Sequence, residues 1–284
     1  MRLLLSVTIA IASLVGRVSA FAPQSTNNVN NRATTLFSSV PSDVSSAPSR
    51  SLNEHKSDLV RACTADTKPS LNDIKTMVQE LEQKAELVGE GQSSSSAGLL
   101  SGKWELLYSP EDETRSSPFF WAFEQAFPDN SDQIFGITDG IPAGIKDIGP
   151  AYQTIEGLAE GTSTGKLVSR VKVATLNGLA TSIMTTRADI TGSIGLDGLT
   201  IRIDTTKPEE STVLEKLGPL GTLLNDNLPP FPSGQALEQV VPGSSTVVMR
   251  TTFCDDGLRI SRNDAKYNEP YVWRRVKFSG MEDL

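Results

Sequence analysis

The spacing of apolar residues predicts an N-terminal helix before a series of short strands. Ser70 is suited to cap this helix. The apolar positions after it recur every three or four residues, as one helical face requires: Leu71, Ile74, Val78, Leu81, Ala85 and Val88. Gly89 and Gly91 end the pattern. Because the stripe stops there, the spacing predicts a single helix packed on a core rather than a coiled coil.

Beyond residue 100 the pattern changes to short runs typical of β-strands. Leu199, Ile201 and Ile203 alternate with polar residues, which predicts a half-buried strand. The turn residues 255–257 predict a hairpin. The runs expected to be strands are 102–108, 152–158, 166–176, 182–194, 199–205, 246–253, 258–262 and 271–276. This order predicts a mainly β protein, a lipocalin-like antiparallel barrel. The Pro- and Gly-rich stretch 207–244, with one weak helical piece at 213–217, is expected to be a long surface excursion.

The densest aromatic stretch of the chain follows the first predicted strand. Ser117 is expected to cap a short helix, and Pro118 suits its first position. Five rings follow: Phe119, Phe120, Trp121, Phe123 and Phe127. The three phenylalanines spaced four apart share a face, which leaves Phe120 or Trp121 as the ring expected to be exposed. The helix either closes one end of the barrel or forms an aromatic lid or lipid contact, and the two roles can coexist.

Composition and charge exclude several classes of function. The chain has 284 residues, a net charge of −8 and 38% hydrophobic residues, enough for the core of one or two domains. The acidic balance argues against a nucleic-acid partner, which would need a basic face. One His and two Cys, Cys63 and Cys254, are too few for a disulfide framework or a four-thiolate zinc site. We expect no metal and no cofactor.

One segment resembles two catalytic motifs but lacks features that each of them requires. Residues 161–165 match the G-x-S-x-G nucleophile elbow, which needs a helix after it and a later His. A strand is predicted there instead, and His55 is the last His of the chain. The same segment is one residue short of a P-loop, and Leu167 replaces the hydroxyl residue that would bind magnesium. The carboxylate runs 111–113 and 209–210 are expected to be solvated, so no catalytic residue is predicted.

Residues 1–60 have the composition of a targeting leader. An apolar run after Arg2 ends in a small-x-small cleavage pattern, which predicts a signal peptide over 1–20. Residues 21–60 are rich in Ser, Thr and Asn, which is typical of a transit peptide, and His55 would leave with it. The junction 18–23 resembles that of algal plastid preproteins, in which Phe, here Phe21, follows the cleavage. The resemblance implies import into a complex plastid, on the stromal side because no second apolar run follows. The alternative is a secreted protein with a disordered N-terminus.

The first predicted strand begins with a motif found in lipocalins. Gly102 and Trp104 form the G-x-W of that fold's first strand. In lipocalins an Arg from the end of the barrel packs on this Trp, and Arg259 and Arg262 lie on the penultimate predicted strand. A guanidinium over an indole is worth about 0.5–2 kcal/mol. These residues are therefore interpreted as structural.

Three blocks of sequence together resemble the plastid lipid-associated proteins, also called fibrillins or plastoglobulins. They are LSGKWELLY at 100–108 with SSPFFW at 116–121, the basic-apolar strand 168–173, and TTFCDDGLRISR at 251–262 with Tyr-Val-Trp at 271–273. The signature residues are Gly102, Trp104, Tyr108, Arg259 and Arg262. The resemblance covers roughly residues 71–276 and implies a lipocalin-like domain over 70–278.

The resemblance also implies a function. It implies a non-enzymatic protein that binds or shelters apolar plastid lipids, such as prenylquinones, tocopherols, carotenoids or acyl lipids, at thylakoids or plastoglobules. The family has no agreed catalytic residues to carry over. Two alternatives stay open: an enzyme acting on a carotenoid or quinone lipid, and a scaffold for a quinone-synthesis enzyme. Algal de-epoxidases of lipocalin type are rich in Cys, and this chain has two.

Overall fold

A computed structural model gives the structure of most of the chain after residue 50. It describes residues 50–91, 98–128, 150–159, 162–175, 180–212, 218–219 and 229–276. Residues Leu52–Leu284 form one compact unit, and its described part contains eight strands and four α-helices. The predicted signal peptide, most of the predicted transit peptide and the predicted helical piece 213–217 lie outside the described residues.

The eight strands close into an antiparallel barrel in which each strand pairs with the next along the chain. The last strand pairs with the first and completes the ring. The strands are β1 Gly102–Tyr108, β2 Ala151–Glu156, β3 Gly165–Thr175, β4 Ala180–Ile194, β5 Gly198–Glu209, β6 Thr246–Cys254, β7 Leu258–Asn263 and β8 Tyr271–Arg275. The predicted mainly β, antiparallel barrel is confirmed, and its up-and-down order is the one lipocalins have.

A pair of antiparallel helices covers part of the outside of the barrel. Helix α2 (Leu71–Val88) begins at Ser70, whose hydroxyl accepts a hydrogen bond from the backbone N–H of Asp73 at 3.2 Å. It ends at Gly89, whose φ of 72° suits the left-handed C-cap position. Four residues of the predicted stripe, Ile74, Val78, Leu81 and Ala85, are buried against the barrel, whereas Val88 is exposed. The four form a core with outward side chains of β1 and β6–β8: Tyr108, Phe253, Leu258, Ile260 and Val272.

The first helix of the pair lies in the segment interpreted as transit peptide. Helix α1 (Leu52–Cys63) buries Leu52 and Leu59 in the core that α2 forms with the barrel. His55 belongs to this helix, with Nδ1 3.9 Å from a carboxylate oxygen of Glu80 on α2. The folded unit therefore includes residues well before the predicted domain boundary at 70.

An ion pair fixes α2 on the barrel wall. The guanidinium of Arg262 on β7 donates to both carboxylate oxygens of Glu82, at 2.8 Å and 3.1 Å. Two parallel bonds from a planar guanidinium give this contact a defined geometry. No helix in the described part of the chain is long and apolar enough to cross a membrane.

The stretch expected to be a surface excursion packs closely on β5 where the structure describes it. Strand β5 continues to Glu209, and Thr206 exchanges two backbone hydrogen bonds with Phe231 at 2.9 Å each. Helix α4 (Ser233–Val240) follows, and a Cβ on Gly234 would stand 2.0 Å from the carbonyl oxygen of Ile203. The excursion expected over 207–244 therefore packs on β5 in its described part, and Gly234 permits the close approach because it has no side chain.

Loss of the Leu59 side chain should unfold the α1 contact with the barrel. Leu59 is fully buried, so Leu59→Ala is expected to lower the free energy of unfolding by about 2–5 kcal/mol. Leu87→Ala on α2 is the control, because Leu87 is largely exposed and its loss should change stability by no more than about 0.5 kcal/mol. Urea unfolding measures both. Equal stability of the two variants would contradict the assignment of α1 to the folded unit.

Candidate functional site

The two ends of the barrel are built differently. One end, here called the α3 mouth, holds a 3₁₀ turn (Glu113–Ser116), helix α3 (Pro118–Ala126) and helix α4. The other, here called the hairpin end, is formed by the turns that join β2 to β3, β4 to β5 and β6 to β7, together with the start of β1. Each candidate residue belongs to the interior, to one of these two ends or to the outer wall under the helix pair.

A stacked cluster of aromatic and guanidinium groups occupies the lower interior of the barrel. The Cζ atom of Arg259 lies 5.1 Å from the ring centroid of Trp104 and 4.6 Å from that of Trp273. Arg275 covers Trp104 as well, at 4.2 Å. Both indole N–H groups are satisfied: Trp104 donates to the carbonyl of Leu100 at 2.9 Å and Trp273 to the hydroxyl of Ser261 at 2.8 Å. The expected Arg–Trp contact of lipocalins is therefore made by Arg259.

Arg259 is a fully buried cation without an ion pair among the described residues. Burial lowers the pKa of its guanidinium to about 9. Its Nη2 donates to Oε1 of Gln153 at 2.7 Å, while Nε and Nη1 have no hydrogen-bond acceptor in the described structure. The electron-rich faces of two indoles therefore stabilise the charge where a carboxylate would be expected.

Arg262, the second arginine considered for the Trp104 contact, points the other way. It faces outward to Glu82 on α2 and lies 5.4 Å from the ring centroid of Tyr267. Gly102 has a φ of +138°, and a Cβ there would meet Nη1 of Arg275 at 2.4 Å. Tyr108 is buried in the core under the helix pair. The five signature residues thus hold the barrel together in two separate places.

A layer of polar side chains, here called the polar layer, crosses the interior above the stacked cluster. Gln153, Ser169, Thr186 and Thr206 lie on neighbouring strands in direct register, and all four are buried. The hydroxyls of Thr186 and Thr206 are 3.4 Å apart, and that of Thr206 is 2.9 Å from the hydroxyl of Ser233 on α4. Sequence reasoning missed this layer. The inward alternation of Ala151, Gln153 and Ile155 is the one signal that could have found its first member.

The residues before α3 connect it to the polar layer. Gln153 donates from Nε2 to the backbone carbonyl of Ser116 at 3.0 Å, and the hydroxyl of Ser117 donates to that of Thr186 at 3.4 Å. Pro118 occupies the first turn of the helix as predicted, but the Ser117 side chain makes no capping bond. The hydroxyl expected to cap the helix is directed into the barrel instead.

Helix α3 is buried on more than one side. Three rings of the helix are buried, namely Phe119, Trp121 and Phe123, while Phe120 and Phe127 are half-buried. The row of phenylalanines is in contact, with centroids 6.1 Å apart for Phe119 and Phe123 and 4.8 Å apart for Phe123 and Phe127. The apolar side chains of α3 extend over more than one face, so most of the helix is enclosed, and Glu124 and Gln125 form its outer side.

The possibility that Trp121 is the exposed ring is wrong. Its indole N–H donates to the carbonyl of Arg115 at 2.6 Å, and its ring lies 5.6 Å from that of Tyr271 on β8. Glu124, on the outer side of α3, is 2.8 Å from the ammonium group of Lys266. Phe120 and Phe127 remain as the rings of this aromatic stretch that a lipid could reach.

The groups that could act as nucleophiles or metal ligands are not arranged for chemistry in the described residues. Burial raises the pKa of the thiols of Cys63 and Cys254 to about 12, so both are protonated at neutral pH. No group of three or more His, Cys, Asp or Glu side chains that could bind a metal occurs in the described ranges. The segment that matches a nucleophile elbow leads into strand β3, whereas an elbow requires a helix.

Comparison with known proteins gives one match. A family model described as PAP_fibrillin matches residues 47–267, more than half of the 284-residue chain. No curated protein and no solved structure matches the chain. The matched range includes all of α1 and α2 and strands β1–β7, and so covers nearly all of the described unit.

Removal of the Trp104 indole should destabilise the barrel strongly. Trp104→Ala leaves a cavity and takes one of the stacked faces away from buried Arg259, so the free energy of unfolding should fall by about 3–5 kcal/mol. Tyr267→Ala is the control, because this ring is exposed on the connection between β7 and β8. Thermal melting followed by circular dichroism measures both. A near-normal midpoint for Trp104→Ala would show that the stack does not hold the barrel.

Proposed function

The chain belongs to the PAP_fibrillin family of plastid lipid-associated proteins, and we propose that it binds apolar plastid lipid without catalysis, as a peripheral protein of thylakoids or plastoglobules. In this proposal the barrel meets lipid as a surface and does not carry a single lipid molecule inside. The candidate lipids are the prenylquinones, tocopherols, carotenoids and acyl lipids that such surfaces contain.

The occupied interior is the observation that carries this proposal. At mid-height the barrel contains the guanidinium of Arg259, the two indoles beside it and the polar layer, all of them buried. An apolar ligand would gain little binding free energy beside buried amide and hydroxyl groups, because it cannot replace their hydrogen bonds. The α3 mouth is covered in addition by a helix that is bonded into the wall. Contact with lipid on the outside of the barrel fits this arrangement better than storage within it.

A non-catalytic role is supported by the chemistry of the described side chains. The two thiols are protonated, and the hydroxyls of Thr186, Thr206 and Ser233 bond to each other rather than to a base. The buried hydroxyl of Ser169 has no hydrogen-bond partner among the described residues, and so no base beside it. A hydroxyl nucleophile needs a neighbouring base to become reactive. Neither the polar layer nor the stacked cluster supplies such a pair.

A second candidate function is the shelter of one lipid under α3. The half-buried rings of Phe120 and Phe127 favour it, because they leave aromatic surface within reach at the α3 mouth. The side chains that the polar layer places on β3–β5 are also small, namely Ser169, Thr186 and Thr206. This function differs from the first in requiring a lipid that stays with the protein in a fixed ratio.

Flotation and lipid extraction distinguish the two functions. The chain from Phe21 to Leu284 is expected to float with vesicles of galactolipid, and the extracted lipid should be unchanged. Phe120→Ser should float as the wild type does, because on our proposal the contact is elsewhere. Protein purified without vesicles should retain no stoichiometric lipid.

The opposite results point to the alternatives. One retained lipid per chain, lost in Phe120→Ser, would establish shelter under α3. A chemically altered lipid would establish catalysis. A wild-type chain that stays at the bottom of the gradient would refute lipid-surface binding and leave the role of a scaffold for a plastid enzyme.

We propose further that residues 1–20 are a signal peptide and that a transit peptide follows, delivering the folded domain to the stromal side of the plastid. Helix α1 sets a limit on processing, since its buried Leu52 and Leu59 are part of the core. Removal of residues up to position 60 would take away half of the helix pair. A transit peptide compatible with this fold therefore ends before Leu52.

The leader is testable through its first aromatic residue. A fluorescent protein fused to residues 1–51 should enter the plastid, and the same fusion with Phe21→Ala should be retained around it. Phe37→Ala is the matched control, because it removes an identical ring away from the junction. Unchanged import of the Phe21 variant, or equal retention of the control, would contradict the proposed junction.

A further inference from the structure

Exposed aliphatic side chains are concentrated at the hairpin end of the barrel. Six large hydrophobic side chains are exposed in the described residues, and four of them are at this end. They are Leu87 (81% exposed) and Val88 (48%) in the last turn of α2, and Ile194 (43%) and Leu196 (65%) at the tip of the β4–β5 hairpin. These four residues are here called the aliphatic rim. The other two, Val241 and Tyr267, are on connections at the α3 mouth.

Strand β6 brings the two halves of the aliphatic rim to the same place. The turn of the β4–β5 hairpin is attached to it, since the carbonyl of Asp197 accepts from the N–H of Thr251 at 2.7 Å. The segment after α2 is attached three residues further on, where the N–H of Cys254 donates to the carbonyl of Gly91 at 3.0 Å. Three residues of a strand span about 10 Å, so the segments that carry the two aliphatic pairs are attached close together on β6.

The fold itself does not require apolar side chains at these positions. On α2 the residues that face the barrel are Ile74, Val78, Leu81 and Ala85, and the helix ends at Gly89 by its left-handed cap. Leu87 lies outside that stripe. The hairpin turns at Gly195, with a φ of +65°, and Leu196 follows it in the turn. Polar residues at both places would leave the fold intact, so folding alone does not explain the aliphatic rim.

We propose that the aliphatic rim is the face by which the barrel docks on a lipid surface with uncharged headgroups. This inference rests on the proposed function and names the part of the protein surface that would contact lipid. Two protruding aliphatic pairs enter the boundary between headgroups and acyl chains, and the barrel stands on its hairpin end. The α3 mouth then faces away from the lipid.

The shape of the aliphatic rim favours lipid over a protein partner. A stable protein interface buries about 800 Å² on each side in a complementary patch. The aliphatic rim consists instead of two pairs of side chains on separate protrusions, the end of a helix and the tip of a hairpin. A fluid lipid surface accepts such protrusions one by one, because it needs no matching shape.

The charge around the aliphatic rim determines the class of headgroup. Acidic side chains lie beside it on α2 and on the neighbouring turns of the hairpin end: Glu86, Glu90, Asp197, Asp255 and Asp256. Lys84 lies one turn before Leu87 on α2, while Lys56 pairs with Asp255 and Arg250 with Asp197 at 2.9 Å. These acids outnumber the three bases, so an anionic surface is not attracted, whereas a galactolipid surface carries no charge to repel them.

Exchange of one residue in each aliphatic pair tests the docking face. Leu87→Ser with Leu196→Ser, in the chain from Phe21 to Leu284, should weaken partition into galactolipid vesicles at least tenfold in a flotation assay. The matched control is Val241→Ser with Tyr267→Ser, which removes two exposed apolar side chains (39% and 47%) from the opposite end. The control should partition within twofold of the wild type, and both variants should melt as the wild type does.

The outcomes separate this inference from the function on which it rests. Wild-type partition in the Leu87/Leu196 variant, while the wild type floats, would refute the docking face and leave lipid binding intact. Equal weakening in the control would refute it too, because binding would then be unspecific. A wild type that fails to float refutes both proposals. Stronger partition into vesicles with an anionic lipid, abolished by salt, would replace the aliphatic contact with an ionic one.

Discussion

The barrel depends on the guanidinium of Arg259, which is stacked between the indole rings of Trp104 and Trp273. These three residues lie on β7, β1 and β8, where the end of the chain closes on its beginning. The closing strand β8 has five residues, so its ladder with β1 is short. The stacked planar side chains add contacts across the seam between β8 and β1, where few backbone hydrogen bonds join the two strands. Burial lowers the pKa of Arg259 to about 9, which still leaves it charged at neutral pH. Loss of either indole would leave that charge less compensated.

Arg259 also holds the α3 mouth in place, through the side-chain amide of Gln153. Gln153 accepts from Arg259 with its oxygen and donates with its nitrogen to the carbonyl of Ser116. The 3₁₀ turn before α3 is therefore linked to the seam, and the hydroxyls of the polar layer continue the connection to α4. Buried polar groups are stable only when their partners are in place. Opening of the α3 mouth would break this network, so a lipid would have to replace several hydrogen bonds to enter.

Local signals in the sequence are sufficient to predict the strands and α2. They are insufficient where the surroundings of a residue depend on how the strands close into the barrel. Ser70, the stripe of α2 and Gly89 are all within one element, and their spacing alone places the helix. Helix α1 buries only Leu52 and Leu59 fully and lies beside a leader-like composition, so its periodic signal is too weak to stand out. Gln153 and Ser169 look like ordinary polar residues until the register of β2 and β3 brings them together inside. The spacing of α3 left Phe120 or Trp121 as the exposed ring because the rule assumes one buried face, and this helix in a barrel mouth buries Trp121 on a second one.

The structure separates the residues that hold the fold from those that we propose to meet lipid. Aromatic side chains are the strongest sequence signal for a lipid contact, yet the buried rings of α3 close a mouth and would have to leave their packing to act outside. The aliphatic rim is at the opposite end, on a helix terminus and a hairpin tip that are held by backbone bonds to β6. Side chains there can change without opening a cavity, because they fill none. On our proposal, the strength of lipid attachment therefore varies independently of the stability of the barrel.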